Sequence, residues 1–116
     1  MAFDGSCHCG EVTYSVEGDI PTTAISCNCS HCRRKGFLLA FFPRDQFTLT
    51  AGEGSLETYR FNTHRLEHLF CKTCGTQGFA YGSGPDGSAM AAVNLRCVPA
   101  CDIDGLSLQR VDGASF

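Results

Sequence analysis

Hydrophobic and polar residues alternate in short runs along most of this chain, and the runs have strand length rather than helix length. Within Glu11–Val16, Val12, Tyr14 and Val16 are separated by polar residues, as on a half-buried strand. Gly18-Asp19-Ile20-Pro21 ends that run with turn chemistry. Thr22–Cys27 carries three β-branched residues and reads as a second strand. Phe37–Phe42 is a continuous apolar run that Pro43 stops. Phe47–Thr50 and Leu56–Phe61 alternate around Ala51-Gly52-Glu53-Gly54, which predicts a hairpin. Leu66–Cys71, Phe79–Tyr81 and Met90–Leu95 complete the set, the last two flanking the turn-rich segment from Gly82 to Gly87. Ser30–Gly36 fits one helical turn with Ser30 as N-cap and Gly36 as C′, and no longer helical period occurs. After Val98-Pro99 the pattern fades into a polar tail, expected to be loosely held from about residue 99. The expectation is one mainly β domain over residues 1–116, built from seven or eight short strands.

Composition narrows this picture. The 116 residues are 43% hydrophobic, enough for a core, though a chain this size buries only about two-thirds of its unfolded surface. Staples would therefore help. The net charge is −3 with nine Lys and Arg, and the longest basic run is Arg33-Arg34-Lys35. That predicts no nucleic-acid partner. No apolar stretch approaches a membrane span, so no membrane partner is expected.

Nine cysteines change the picture most. About one residue in thirteen is near the level of a disulfide scaffold. However, an odd count cannot pair completely, and Met1–Ser6 has neither a basic stretch nor an apolar run of the secretory kind. A reduced, cytoplasmic setting is expected. The cysteines occur as Cys-x-Cys, Cys-x-Cys-x-x-Cys and Cys-x-x-Cys, which is metal-ligand spacing. Cys71-Lys72-Thr73-Cys74-Gly75 reads as a zinc knuckle, a strand followed by a tight turn that aims two sulfurs the same way. Cys7 and Cys9 can supply the other half, because a Cys-x-Cys on a regular strand points both sulfurs to one face. Cys7, Cys9, Cys71 and Cys74 thus form a plausible closed structural zinc site. Cys27, Cys29 and Cys32 are three ligands in six residues. Three ligands and an open position is how catalytic zinc is held. Spacing alone leaves open whether Cys97, Cys101 or His31 closes this second site.

Four blocks then carry a resemblance. Gly5-Ser6-Cys7-His8-Cys9-Gly10-Glu11-Val12-Thr13-Tyr14, Cys27-Asn28-Cys29-Ser30-His31-Cys32-Arg33-Arg34, His68-Leu69-Phe70-Cys71-Lys72-Thr73-Cys74-Gly75-Thr76 and Val93-Asn94-Leu95-Arg96-Cys97 resemble, in order and spacing, the glutathione-dependent formaldehyde-activating (GFA) family. That family shares its domain with centromere protein V. The resemblance implies a small β-tent domain of short antiparallel strands stapled by zinc, with two Zn(2+) per chain. It implies a structural zinc on Cys7, Cys9, Cys71 and Cys74 and a catalytic zinc on Cys27, Cys29 and Cys32. It also implies addition of glutathione to formaldehyde, a carbon–sulfur lyase reaction in reverse.

A zinc held by three thiolates carries one net negative charge and is a weaker Lewis acid than one held by imidazoles. Its better use is to hold a substrate thiol such as glutathione in deprotonated form. His31 and His68 are candidate proton donors to the alkoxide that results. Arg33 and Arg34 either grip substrate carboxylates or form a solvated surface pair. Asn94 matches a family position near the pocket, and its alternative role is a strand-end turn. His8 is expected to point outward, His64 to sit in a loop, and Phe37, Phe41, Phe42, Phe70 and Phe79 to be core. Cys97 reads as a spare ligand or a small buried hydrophobe, and Cys101 as an exposed free thiol. Three functional classes follow: a zinc-dependent lyase acting on a thiol adduct of formaldehyde or another small carbonyl, a non-catalytic glutathione carrier, and a scaffold with two structural zincs and a protein partner.

Overall fold

A computed structural model describes residues 1–60, 67–84 and 86–112. Its strands are β1 (Ala2–Ser6), β2 (Thr13–Glu17), β3 (Thr23–Cys27), β4 (Leu39–Pro43), β5 (Phe47–Ala51), β6 (Leu56–Tyr59), β7 (Glu67–Cys71), β8 (Phe79–Ser83), β9 (Ala89–Asn94) and β10 (Ser107–Val111), with one short helix, α1 (Ser30–Lys35). They form two sheets. The smaller has the order β1-β2-β5, and the larger β10-β3-β4-β9-β8-β7-β6. Every pairing is antiparallel except that of β10 with β3. Among the described residues no helix is long and apolar enough to cross a membrane. His64 and the expected strand ends at Phe61 and Leu66 lie outside the described residues.

The two sheets meet through aromatic side chains that the strand alternation turns inward. Tyr14 and Phe47 of the small sheet stack at 5.1 Å between ring centroids. Phe79 of the large sheet lies 4.7 Å from Phe47 and meets Tyr14 edge-on at 5.6 Å. Val16, Ala91, Val93 and Leu95 are fully buried around them. The Tyr14 hydroxyl donates to the Gly78 carbonyl at 3.2 Å, so the ring's one polar atom is satisfied in the core.

Several expectations are corrected here. Strands β5 and β6 do not form a hairpin: β5 pairs with β2 and β6 with β7, so the chain changes sheet between them. Alternation reports that a strand has a buried face but does not name its partner. Gly52 makes the crossing possible, with φ +94° and its backbone packed against Val12, where any side chain would collide. Between residues 100 and 112 the chain adds one more strand. Strand β10 lies parallel to β3, with Arg110 opposite Ser26 and Val111 opposite Cys27. Cys101 is not exposed: it is 8% accessible and packs in the core. Phe41 is not core: it is 49% accessible, because Ala40 takes the inward position of β4. Phe37 and Phe79 are buried as expected. The helix begins one residue earlier than expected, with Cys29 rather than Ser30 as its cap, while Gly36 ends it at φ +71°.

Candidate metal centres and their flanking cavities

Two groups of sulfurs converge, and they are the two that spacing brings out. Cys7, Cys9, Cys71 and Cys74 place their Sγ atoms within 4.8 Å of one another. Cys7 and Cys9 sit in the connection after β1 rather than on a strand, so a turn and not strand alternation aims them together. Cys7 N–H donates to the Val12 carbonyl at 3.0 Å, and Val12 N–H points back at Cys7 Sγ at 3.3 Å. Across from it, Cys71 ends β7, and Gly75, at φ +79°, returns its N–H to the Cys71 carbonyl at 2.8 Å. That turn folds Cys74 back over Cys71. Thr73 Oγ1 donates to Glu11 Oε2 at 2.9 Å and ties the two loops together. The Cys7–Cys9 and Cys9–Cys71 sulfurs are each 3.6 Å apart. Four sulfurs on a tetrahedron about 2.3 Å from a zinc ion would be about 3.8 Å apart. The donor set and its spacing therefore fit zinc.

Electrostatics agree with that fit. Hydrogen bonding to the Thr76 side chain, 3.4 Å away, and to nearby backbone holds the Cys74 thiol down at about 5. Glu11 backbone N–H favours the Cys9 thiolate, yet desolvation and the sulfurs of Cys7, Cys71 and Cys74 outweigh it and push this thiol up to about 12. Four adjacent thiolates repel one another, and a divalent cation at their centre removes that penalty. All nine thiols are free of disulfides.

The second group is Cys27, Cys29 and Cys32, again with sulfurs within 4.8 Å of one another. Cys27 closes β3, Cys29 caps α1, and Cys32 lies in the first helical turn, where its N–H donates to Cys29 Sγ at 3.3 Å. Burial opposes ionisation of Cys29, but hydrogen bonds from the Cys32 and His31 backbone and from the Cys32 and Cys27 thiols together outweigh it and lower this thiol. Burial and the Cys29 sulfur raise Cys32. Among the described residues no fourth ligand atom from His31, Cys97 or Cys101 joins the three. Cys97 instead donates to the Gln77 carbonyl at 3.8 Å and receives the Asn94 amide at 3.7 Å. The triad is open.

His31, carried on α1 between Cys29 and Cys32, meets His68 of β7 at 4.2 Å between ring centroids and stacks on Tyr59 at 5.6 Å. His68 is three residues before Cys71, and strand alternation turns it to the opposite face from that ligand. It is 5% accessible, and burial, then the neighbouring His31 and Lys35, hold its ring down to about 4. Burial and Lys35 also lower His31. Gln77 Nε2 lies 3.1 Å from His68 Nδ1. An amide nitrogen only donates, so Nδ1 accepts and the His68 proton resides on Nε2.

The model of the family described as glutathione-dependent formaldehyde-activating enzyme matches residues 2–101. The chain belongs to this family. A crystal structure of a Rhodobacter sphaeroides protein is similar, with a TM-score of 0.78 and 27% identity over 91% of this chain and 99% of that one. Both cysteine groups of this GFA chain fall inside the matched span, and β10 falls outside it.

Two cavities flank helix α1 of the GFA domain. One, of about 420 Å³, is lined by His31, Arg34, Lys35, Tyr59, Phe70 and Gln77. Lys35 Nζ sits 5.8 Å from the centre of the Phe70 ring, a cation over an aromatic face. The other, of about 470 Å³, is bounded by Cys27 and Cys32 and by Arg33, Arg96 and Arg110. The expected pair Arg33 and Arg34 is thus divided between the two. Arg34 Nη1 also donates to the Ser30 carbonyl at 2.9 Å. Asn94 has both ends of its amide engaged with backbone, Nδ2 to the Gln77 carbonyl and Oδ1 to Arg96 N–H. His8 is exposed, as expected. Gln77, Tyr59, Arg96 and Arg110 were not anticipated. A Gln two residues beyond a Cys-x-x-Cys-Gly turn reads as a loop residue, and nothing local marks it as buried.

Proposed function

We propose that this GFA-family chain holds two zinc ions and catalyses reversible carbon–sulfur bond formation between a thiol such as glutathione and formaldehyde or another small carbonyl. The observation that carries the reading is the group of three sulfurs, of which Cys27 and Cys32 border a cavity of about 470 Å³, wide enough for a small ligand. Cys7, Cys9, Cys71 and Cys74 would hold the structural ion, joining the small sheet to the large one. Cys27, Cys29 and Cys32 would hold the other. Zinc at the triad supplies a position at which a thiol is held as its thiolate.

The remaining chemistry belongs to the protein. His68 is kept neutral by burial with its proton on Nε2, and in this reading it is the candidate donor to an oxygen that gains charge as the carbonyl is attacked. His31, in ring contact with His68, links that donor to the helix bearing Cys29 and Cys32. Tyr59 and Phe70 wall the other cavity beside α1 and limit water, while Arg34 and Lys35 give it positive charge. The reading is tested by NMR exchange of formaldehyde with glutathione on protein shown by elemental analysis to carry two zincs. Exchange faster than the uncatalysed rate, abolished in Cys29→Ser, is the expected result. Glutathione binding without acceleration would leave a carrier, and a single zinc per chain would refute the open second centre.

A further inference from the structure

The cavity between α1, the β3–β10 edge and the turn Leu95–Cys97 has a charge pattern that the zinc chemistry does not require. Of nine Lys and Arg in a chain of net charge −3, five line the two cavities beside α1. Three of them, Arg33, Arg96 and Arg110, share this one cavity and come from three separate elements. The ion pairs among the described residues, Arg60 with Glu67 and Lys72 with Glu57, involve none of the three. The one acid lining the cavity, Asp112, accepts the Asn28 amide at 3.0 Å. Arg96 is fixed in place, its Nε donating to the Gly36 carbonyl at 2.7 Å and leaving its other N–H donors for a ligand. Three guanidinium groups lining one cavity with a single carboxylate, Asp112, leave an excess of positive charge that a bound anion would offset.

The cavity also limits which anion. Cys27 and Cys32 of the triad border it, and Phe37, Leu38 and Leu108 give it an apolar floor. A ligand filling it would meet triad sulfurs, hydrocarbon and guanidinium groups on the walls of one cavity. The fork geometry of arginine matches a carboxylate through paired N–H donors.

We propose that Arg33, Arg96 and Arg110 form a carboxylate subsite that orients an acidic thiol with its sulfur toward Cys27 and Cys32. The subsite deepens the thiol-activating reading and rests on it for the sulfur end only. It selects thiols that carry a carboxylate a few bonds from sulfur over neutral thiols of the same length. Arg110 stands on β10, beyond the residues 2–101 that the family model matches.

The test compares two probes on the two-zinc protein, 3-mercaptopropionate and 2-mercaptoethanol, with calorimetry for affinity. The Arg96→Gln/Arg110→Gln double variant should weaken 3-mercaptopropionate about tenfold and leave 2-mercaptoethanol unchanged. Added salt should weaken only the acidic thiol. Retention of two zincs and of the melting temperature shows that the variant is folded, and Arg110→Gln alone, at an exposed edge-strand position, serves if the double variant is not. Equal loss for both thiols, or loss for neither, overturns the subsite. So does tighter binding of inorganic phosphate than of 3-mercaptopropionate. S-methylglutathione separates the two readings. If it shifts the side-chain NMR signals of Arg96 and Arg110 while X-ray absorption finds no new sulfur at zinc with glutathione, the subsite stands and thiol activation fails. If no carboxylate probe moves those signals, the subsite is refuted whatever the zinc does.

Discussion

Replacing Gly5 by Ala puts a methyl group into the ring of Tyr14. Gly5 and Tyr14 are directly opposite in the β1–β2 ladder, and the ring lies over the glycine backbone. A Cβ at residue 5 would fall 2.5 Å from Tyr14 Cε1 and closer still to Cζ and the hydroxyl, about 1 Å inside normal contact. The ring has little room to yield. It is 1% accessible, Phe47 and Phe79 pack against it, and Gly78 lies so close that a Cβ there would sit 3.0 Å from Cε2. Overpacking of this kind costs about 1–3 kcal/mol, and the clamped ring argues for the upper part of that range. For a domain of this length the loss corresponds to a fall in melting temperature of roughly 5–15 °C. Gly5 is two residues before Cys7, so a displaced β1 also carries the Cys7–Cys9 turn away from Cys71. Calorimetric melting of zinc-loaded protein and chelator competition for zinc read the two effects separately. Gly54→Ala is the control, because nothing lies within 4 Å of its Cβ, and it should change stability by less than about 0.5 kcal/mol. If Gly5→Ala melts with the control and keeps its zinc affinity, Tyr14 does not clamp the two sheets as described.

Cys74→Ser should remove the structural zinc and lower the melting temperature by more than about 10 °C, whereas Cys29→Ser should remove one zinc with a smaller change. Elemental analysis beside a thermal melt distinguishes them, and equal falls would make both centres structural. His68 should stay neutral in its Nε2–H form well below the ordinary histidine range, as read from ¹⁵N shifts, and Gln77→Glu should move the proton to Nδ1. The folded state binds no proton there until about pH 4, while the unfolded chain binds one below about 6.5. That stability, at most about 3 kcal/mol, is complete above pH 6.5 and is lost as pH falls toward 4, so His68→Phe should flatten this part of the stability curve. Ending the chain at Leu106 should leave the four-cysteine centre loaded and release zinc from the triad, giving one zinc per chain.

What could be read from the sequence depended on whether a feature was local. Eight strands announce themselves by alternation or by an apolar run. The two that do not have physical reasons. In β1 the inward positions are Phe3 and Gly5, and a glycine inside a strand erases half of the period. In β10 the side chains are exposed except for partial cover at Val111, so an edge strand with no buried face has no hydrophobic signal. Both cysteine groups were legible because paired and tripled thiols at ligand spacing have few other uses. The arginine cavity was not, since residues 33, 96 and 110 become neighbours only through the sheet order. Gln77 was obscured for a related reason: a polar side chain buried against the His68 ring looks, in sequence, like a loop residue.

The parallel pairing of β10 with β3 has a consequence for biogenesis. Asn28, between the first two cysteines of the triad, is fastened to Val111 by its backbone and to Asp112 by its side chain, 84 residues away. A ribosome making the chain releases Cys7, Cys9, Cys71 and Cys74 well before β10 emerges. In the proposed two-zinc form the four-cysteine site could therefore take its metal before this pairing, while the triad waits for a slow, long-range closure. Until then the three cysteines of the triad lack their backbone brace, and zinc supply once β10 has docked, rather than during translation, would govern how completely the proposed second centre is filled.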